Sequence, residues 1–336
     1  MVQTNISLRP YNTFGIDVSA ECFAAFSSLD ELKILLEDHR KNNKLIIGGG
    51  SNILFTKNVA GIVLKNELKG INLIKEDENH FYVKAHGGEV WHELVRYCIK
   101  NNYAGVENLS LIPGCVGAAP MQNIGAYGVE LKDVFCELEA LHTADLSVHT
   151  FSRNDCEFGY RESVFKRKLK DQFIILNVTF RLNKQPQFHI EYGAIKHELE
   201  KMNVQDLTIQ NISQAVINIR ESKLPDPKLI GNAGSFFKNP TISEEQFIVL
   251  KEKFPNISAY DIANISDKKI AAGWLIEQCG WKGFRENNFG VNPLQALVLV
   301  NYGSAAGKDI FLLSEKIISS VQEKFGITLE REVNIV

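Results

Sequence analysis

Two hydrophobic periods take turns along the chain, and each switch between them marks an element. Ser28 followed by Glu31 is a capping-box pattern, and Leu32, Leu35 and Leu36 continue it as an amphipathic helix to about Asn42. The run Lys44 to Ile47 reads as a strand, breaks into Gly48-Gly49-Gly50-Ser51-Asn52 and resumes as strand at Ile53 to Phe55. Gly61 to Leu64 and Phe81 to Lys84 predict further strands, and Val90 to Asn101 a helix with Trp91, Leu94, Val95 and Cys98 inward. Phe173 to Phe180 is the clearest strand of residues 134–182, and Ile212 to Arg220 reads as a helix closed by Pro225 and Pro227. A further unit then begins. It holds a glycine-rich loop from Gly231 to Asn239, a helix opened by Ser243 and Gln246, and a helix from about Ile270 to Cys279. A strand from Ala296 to Val300 and a helix from Lys308 to Phe325, stopped by Gly326, follow. Ile327 to Val336 alternates like a one-sided strand, with Glu330 and Glu332 on the same polar face.

The stretch Ser110 to Gly128, SLIPGCVGAAPMQNIGAYG, fits neither period. It is too rich in small residues for a packed helix and too apolar for disorder, so it predicts an ordered functional loop. Composition adds boundaries rather than a function. A chain of 336 residues suggests about two domains by length, and its 37 basic against 40 acidic residues give a net charge of −3. No bulk positive field draws it to nucleic acid or an anionic membrane, so an anionic ligand must be held by local groups. The six cysteines form no CxxC pair and read as inert thiols. His92-Glu93 lacks a second histidine at Arg96, and no other ligand-spaced set asks for a metal. The first residues lack a signal-type apolar core and no run approaches a membrane span, which predicts a cytoplasmic, reduced protein without membrane insertion.

Three loops carry candidate chemistry. Consecutive glycines at 48–50 let backbone N–H groups converge on phosphate oxygens, although a tight hairpin turn would use the same residues. The Rossmann fingerprint fails because Ile53 stands where its last glycine belongs and β-formers follow, and no Gly-Lys-Ser/Thr makes it a P-loop. The Ser110–Gly128 loop, with Gln122, Asn123 and Tyr127, could lie against an extended ligand. Two such loops suggest one large anionic ligand such as a dinucleotide. In the third loop, Ser235 lies between Gly234 and two phenylalanines, either as a reactive group or as a turn residue.

Taken together, the motifs Asn12-Thr-Phe-Gly15, Gly48-Gly-Gly-Ser-Asn-Ile-Leu54, Ile112-Pro-Gly-Cys-Val-Gly-Ala-Ala-Pro120, Gln122-Asn-Ile-Gly-Ala-Tyr-Gly128, Tyr160-Arg161, Gly231-Asn-Ala-Gly-Ser-Phe-Phe-Lys-Asn239 and Ala272-Gly-Trp-Leu-Ile276 occur in order. In this the chain resembles the UDP-N-acetylenolpyruvoylglucosamine reductase family from about residue 8 to the C-terminus. Tyr192-Gly193 is similar to the subgroup with an added substrate-covering tyrosine loop. The resemblance implies an α+β, three-domain flavoprotein with a vanillyl-alcohol-oxidase-like, non-Rossmann FAD-binding fold and a separate C-terminal substrate domain. The expected domains are 1–68 plus 326–336, 69–222 with the tyrosine loop, and 223–325.

By the same resemblance, non-covalent FAD is held by Asn12, Thr13, Gly48, Gly49, Gly50, Ser51, Asn52, Pro113, Gly114, Gly117, Ala118, Asn123 and Gly125. NADPH is the hydride source. The substrate is the enolpyruvyl ether of UDP-N-acetylglucosamine, reduced by hydride from flavin N5 to the lactyl ether for peptidoglycan synthesis. Arg161 and Glu332 are implied to polarise its carboxylate, Glu332 in its protonated form, and Ser235 to give the proton. Read on their own residues, Arg161 could instead pair with Glu162 and Glu332 be a solvated strand residue. The choice of Glu332 over Glu330 comes from the family motif alone, in which Arg331 departs from the usual proline. Gln122, Tyr127, Tyr192, Lys223, Asn239 and Gln278 are implied substrate contacts. Oligomeric state stays open, a monomer included. Two other readings remain: another FAD oxidoreductase or oxidase of the same fold group, or a non-redox sugar-nucleotide-binding protein.

Overall fold

The computed structural model describes residues 1–262 and 265–336 and divides them into two compact units. The first comprises Met1–Ile6, Ala20–Gly49 and Ala60–Ser222; the second comprises Ser7–Ser19, Gly50–Val59 and Lys223–Val336.

The first unit is built on two sheets. A four-stranded sheet runs in the order Gln3–Ser7, Ser19–Phe26, Val59–Asn66 and Lys44–Ile47, with Lys44–Ile47 parallel to Val59–Asn66. The helix Leu29–Asp38 covers its apolar face through Leu32, Leu35 and Leu36. Ser28 Oγ accepts from the Glu31 N–H at 3.2 Å, as the sequence predicts, but the Glu31 carboxylate reaches back one residue further, to the Ser27 N–H at 2.7 Å. The helix ends at Asp38 rather than Asn42, because the N–H groups of Arg40 and Asn42 turn to the carbonyls three residues back.

The second sheet of this unit is antiparallel, in the order Val148–Ser152, Phe135–His142, Phe173–Asn183, His80–His86 and Ile71–Glu76. The helix Trp91–Lys100 buries Trp91, Leu94, Val95 and Cys98 in its core, the four residues that the pattern points inward. The Trp91 indole, apolar over its body, satisfies its N–H on the Leu109 carbonyl at 2.9 Å. The Ser110–Gly128 stretch follows as short 3₁₀ turns, Val116–Ala118 and Pro120–Gln122, and a small hairpin pairing Gly125–Ala126 with Val129–Glu130. The helix pair Ile195–Lys201 and Ile209–Lys223 makes a smaller core with Ile190, Ala194 and Tyr127 against it.

The second unit carries a four-stranded sheet in the order Gly231–Ser235, Val298–Asn301, Phe289–Val291 and Arg285–Glu286. The sequence predicts a loop from Gly231 to Asn239. Its first half is instead a strand, since the edge of Val298–Asn301 offers the ladder that short glycine-rich residues accept without side-chain crowding. Helices Glu244–Lys253, Ala272–Gln278 and Gly307–Phe325 match the predicted ones, and Gly326 stops the last at φ +67°. The segment Ile327–Val336 keeps its alternation in burial, with Ile327, Leu329 and Val333 inside, but is strand only at Asn334–Ile335. Its partner changes along its length. Arg331 bridges Phe237, whereas Asn334–Ile335 runs parallel to Ile53–Leu54. No single ladder is long enough to make one strand of it. Ile53–Leu54 therefore pairs with the C-terminus and Lys44–Ile47 with Val59–Asn66, which overturns the hairpin reading of the glycines between them.

Candidate functional site: two clusters of predicted residues

In the second unit the site is organised around the glycine turn. Gly50 has φ +60°, and a Cβ there would stand 2.0 Å from the Tyr11 carbonyl oxygen. Only glycine permits both the turn and this approach. The Gly50 carbonyl accepts from the Thr13 N–H at 3.1 Å, and Thr13 Oγ1 donates to the Asn232 carbonyl at 2.6 Å. The Asn12 side chain is spent inside its own loop, donating to Leu8 and Ile16 carbonyls and accepting from the Ile16 N–H. It shapes the loop rather than presenting its amide. The amides of Gly50 and Ser51 have no protein acceptor among the described residues. A crowded turn whose amides have no protein acceptor suits a diphosphate, as FAD requires.

The same unit joins Ser235 to Glu332. The Glu332 N–H donates to the Phe236 carbonyl at 2.8 Å, and Asn52 Nδ2 donates to the Glu332 carbonyl at 3.3 Å. Phe236 and Phe237, both fully buried, pin the strand end that leaves Ser235 exposed. Glu330 goes elsewhere, to a salt bridge with the buried Lys238. Asn239 uses its Oδ1 to receive the Ala272 N–H at 2.9 Å, at the start of the helix Ala272–Gln278. Gln278 ends that helix on the surface, its carbonyl taken by Lys324 Nζ, and Lys223 lies exposed at the end of Ile209–Lys223.

The first unit gathers the remaining predicted residues. Gly48 and Gly49 face Cys115 and Gly114; a Cβ on Gly49 would stand 3.2 Å from Gly114 Cα. The Gly117 N–H donates to the Gly87 carbonyl at 2.9 Å, and Pro113 and Ala118 are exposed along this loop. Asn123, fully buried at φ +43°, donates to Glu130 and the Gly159 carbonyl and accepts from the Lys132 N–H. Like Asn12, it is a scaffold. Arg161 donates through Nη2 to the Gly125 carbonyl at 2.6 Å and lies against the Tyr160 ring, while Glu162 is taken up with Lys166 and Arg167. Gln122 closes the turn Pro120–Gln122. Tyr127 and Tyr192 meet: a Cβ on Gly128 would stand 3.4 Å from Tyr192 Cβ, and one on Gly193 3.5 Å from Tyr127 Cδ1.

One residue of this cluster escapes sequence reasoning. Arg220 lies within the electrostatic field of Tyr127 and Arg161, and its Nε is buried without a hydrogen-bond partner among the described residues. Burial pushes its pKa down and so does the Arg161 charge, but a guanidinium stays ionised. Its position in the last turn of a helix reads as ordinary C-terminal charge, so the sequence offers no signal for it. Burial likewise raises the Tyr127 hydroxyl pKa. Two cations and two phenols in one place can hold an anionic group. No group of three or more His, Cys, Asp or Glu suited to a metal occurs among the described residues.

The profile of the FAD binding domain matches residues 20–152, and with the non-Rossmann α+β fold and the glycine cradle this defines an FAD-dependent oxidoreductase. The profile of the UDP-N-acetylenolpyruvoylglucosamine reductase C-terminal domain matches residues 226–336. UDP-N-acetylenolpyruvoylglucosamine reductase of Flavobacterium johnsoniae is 47% identical over 100% of this chain and 99% of its own length. That of Amoebophilus asiaticus is 51% identical with the same coverage. The chain belongs to the UDP-N-acetylenolpyruvoylglucosamine reductase family. The crystal structure of the reductase from Thermus caldophilus, 22% identical, superposes with a TM-score of 0.70 over 100% of this chain and 99% of that one, which shows the shared fold.

Proposed function

We propose that this enzyme reduces the enolpyruvyl ether of UDP-N-acetylglucosamine to UDP-N-acetylmuramate in the cytoplasm, with NADPH as reductant. Bound FAD supplies a two-electron carrier between the nicotinamide and the substrate. Family membership supports the reaction, and the backbone link from Glu332 to Phe236, next to Ser235, is the observation that carries its chemistry.

Reduction of an enol ether conjugated to a carboxylate builds negative charge beside that carboxylate and requires a proton at the adjacent carbon. Glu332, protonated, donates a hydrogen bond to the carboxylate, and Arg161 supplies fixed positive charge. Ser235 gives its hydroxyl proton. A serine is a poor acid in water, so this role depends on a strongly basic carbon next to it and on water being kept away. In FAD binding, the amides of Gly50 and Ser51 receive the diphosphate, and Gly48, Gly49, Gly114, Gly117 and Gly125 let the loops come close. Tyr127, Tyr192, Gln122, Lys223 and Asn239 bind the UDP-sugar, with Arg220 as a further cation. Tyr192 belongs to a substrate-covering tyrosine loop.

Purified protein should be yellow with a flavin spectrum, and NADPH oxidation should require the enolpyruvyl UDP-sugar. Rapid oxidation of NADPH by oxygen without that substrate would instead favour an oxidase of the same fold group, and colourless protein that takes up no FAD would sink the reading altogether.

A further inference from the structure

Asn108 lies in the 3₁₀ turn Glu107–Leu109 and is 1% exposed. Its side-chain NH₂ donates twice, to the Tyr127 carbonyl at 2.9 Å and to the His189 carbonyl at 2.7 Å. Two carbonyls facing one atom fix the orientation of the amide, since only the nitrogen can serve both. Its Oδ1 is buried with no partner among the described residues. A buried acceptor left without a donor is costly, so the arrangement depends on the two donations to offset it.

The two carbonyls belong to different segments. Tyr127 sits at φ +50°, a left-handed conformation that a bulky residue holds only under outside constraint. His189 lies three residues before Tyr192, and residues 185–191 make no backbone–backbone hydrogen bond among the described residues. A stretch without a ladder is held by side chains or not at all. The turn that bears Asn108 is itself firmly set: the Leu109 carbonyl receives the Trp91 indole N–H, and Ser110 Oγ lies 2.8 Å from Ser213 Oγ. These anchors reach the helices Trp91–Lys100 and Ile209–Lys223.

We propose that Asn108 is a positioning residue that, through one buried amide, fixes the Tyr127 turn and the segment carrying Tyr192 relative to each other. It touches no reacting group; it sets the pair of tyrosines that close on the UDP-sugar, and in this it rests on the proposed role of those tyrosines. Asparagine is required because aspartate, its isostere, presents no donor to either carbonyl.

The test compares Asn108→Ala and Asn108→Asp in the FAD-loaded enzyme, each also combined with Tyr192→Ala. Either single variant should raise KM for the enolpyruvyl UDP-sugar about tenfold, the equivalent of one lost buried hydrogen bond, and leave flavin reduction by NADPH within about twofold. Chymotryptic cleavage at Phe188 and Tyr192 should accelerate by about tenfold in the Asn108 variants. In the Tyr192→Ala background the added Asn108 change should move KM less than about twofold. Unchanged cleavage in both variants overturns the proposal, and so does a KM effect that adds in full to that of Tyr192→Ala. If Tyr192→Ala alone leaves KM unaltered, the role of Tyr192 fails, and the cleavage rates still decide the role of Asn108.

Discussion

The Glu332 N–H donates to the Phe236 carbonyl at 2.8 Å, so the backbone of a glutamate four residues before Val336 is held one residue from Ser235, nearly a hundred positions earlier in the sequence. Two positions back, the Lys238 N–H donates to the Glu330 carbonyl at 2.9 Å, and the two side chains form a salt bridge. The pair of glutamates that share a polar face in the sequence thus have different occupations. Glu332→Gln should slow substrate-dependent flavin reoxidation by about two orders of magnitude, the usual scale for losing a positioned acid or donor. Glu330→Gln should leave turnover within about twofold and cost at most about 1 kcal/mol, because its carboxylate is largely solvated. Stopped-flow reoxidation and thermal melts of both variants check this, and equal kinetic effects would contradict the assignment.

Ser235→Ala removes the proposed proton without touching the buried Phe236 and Phe237 beside it. Flavin reduction by NADPH should stay within about twofold, and the half-reaction with the enolpyruvyl substrate should slow by about two to four orders of magnitude. Slowing of both halves to the same degree would exclude the proton-donor role.

Gly50→Ala places a methyl group 2.0 Å from the Tyr11 carbonyl oxygen at a backbone angle of φ +60°. The turn must open, at a cost of about 1–3 kcal/mol, and the amides of Gly50 and Ser51 move with it. The expected result is a lower melting temperature together with weakened FAD retention, read from the flavin-to-protein absorbance ratio after gel filtration.

His92 Nδ1 accepts the Leu111 N–H at 2.9 Å, a bond only the unprotonated nitrogen can make, and Leu111 is held at φ +58°. Burial pulls the His92 pKa below its usual 6.5, and Arg96 and Arg220 add to this against Glu93. The unfolded chain therefore binds this proton at a higher pH than the folded one. Stability should be full above about pH 6.5 and fall as the pH drops through that value toward the lower folded pKa. Melting temperatures between about pH 7.5 and 5 for the native enzyme and for His92→Gln should show a smaller acid loss in the variant.

Tyr192→Phe keeps the ring that meets Gly128 and Tyr127 and removes the hydroxyl. KM for the UDP-sugar should rise by roughly tenfold to a hundredfold with FAD affinity unchanged, the range expected when one hydrogen bond to a charged group is lost. Loss of FAD instead would place this loop at the cofactor.

Much of this was legible beforehand because the signals are local. The inward face of Trp91–Lys100, the Ser243 cap and the Gly326 stop each depend on residues within a few positions of one another. The glycine turn at 48–50 announced a backbone-lined cradle for the same reason. Asn12 and Asn123 were legible as important but not in their manner of acting, because a motif shows that an amide is needed without showing whether it faces a ligand or its own loop. Arg220 and Asn108 gave no signal, since their meaning lies in partners on other elements, as with Asn108 and His189, 81 positions apart.

The sequence by itself determined the elements, the family resemblance and the identities of the candidate groups, since side-chain period, capping and glycine chemistry act over a turn or a pleat. Only the tertiary structure decided which glutamate's backbone bonds to the residue after Ser235, that Gly231–Ser235 is a strand, and that the C-terminal segment changes partners from Phe237 to Ile53–Leu54. Alternation says which side of a segment is buried. It carries no information about which distant backbone edge will supply the hydrogen bonds, and that choice fixes where each glutamate ends up.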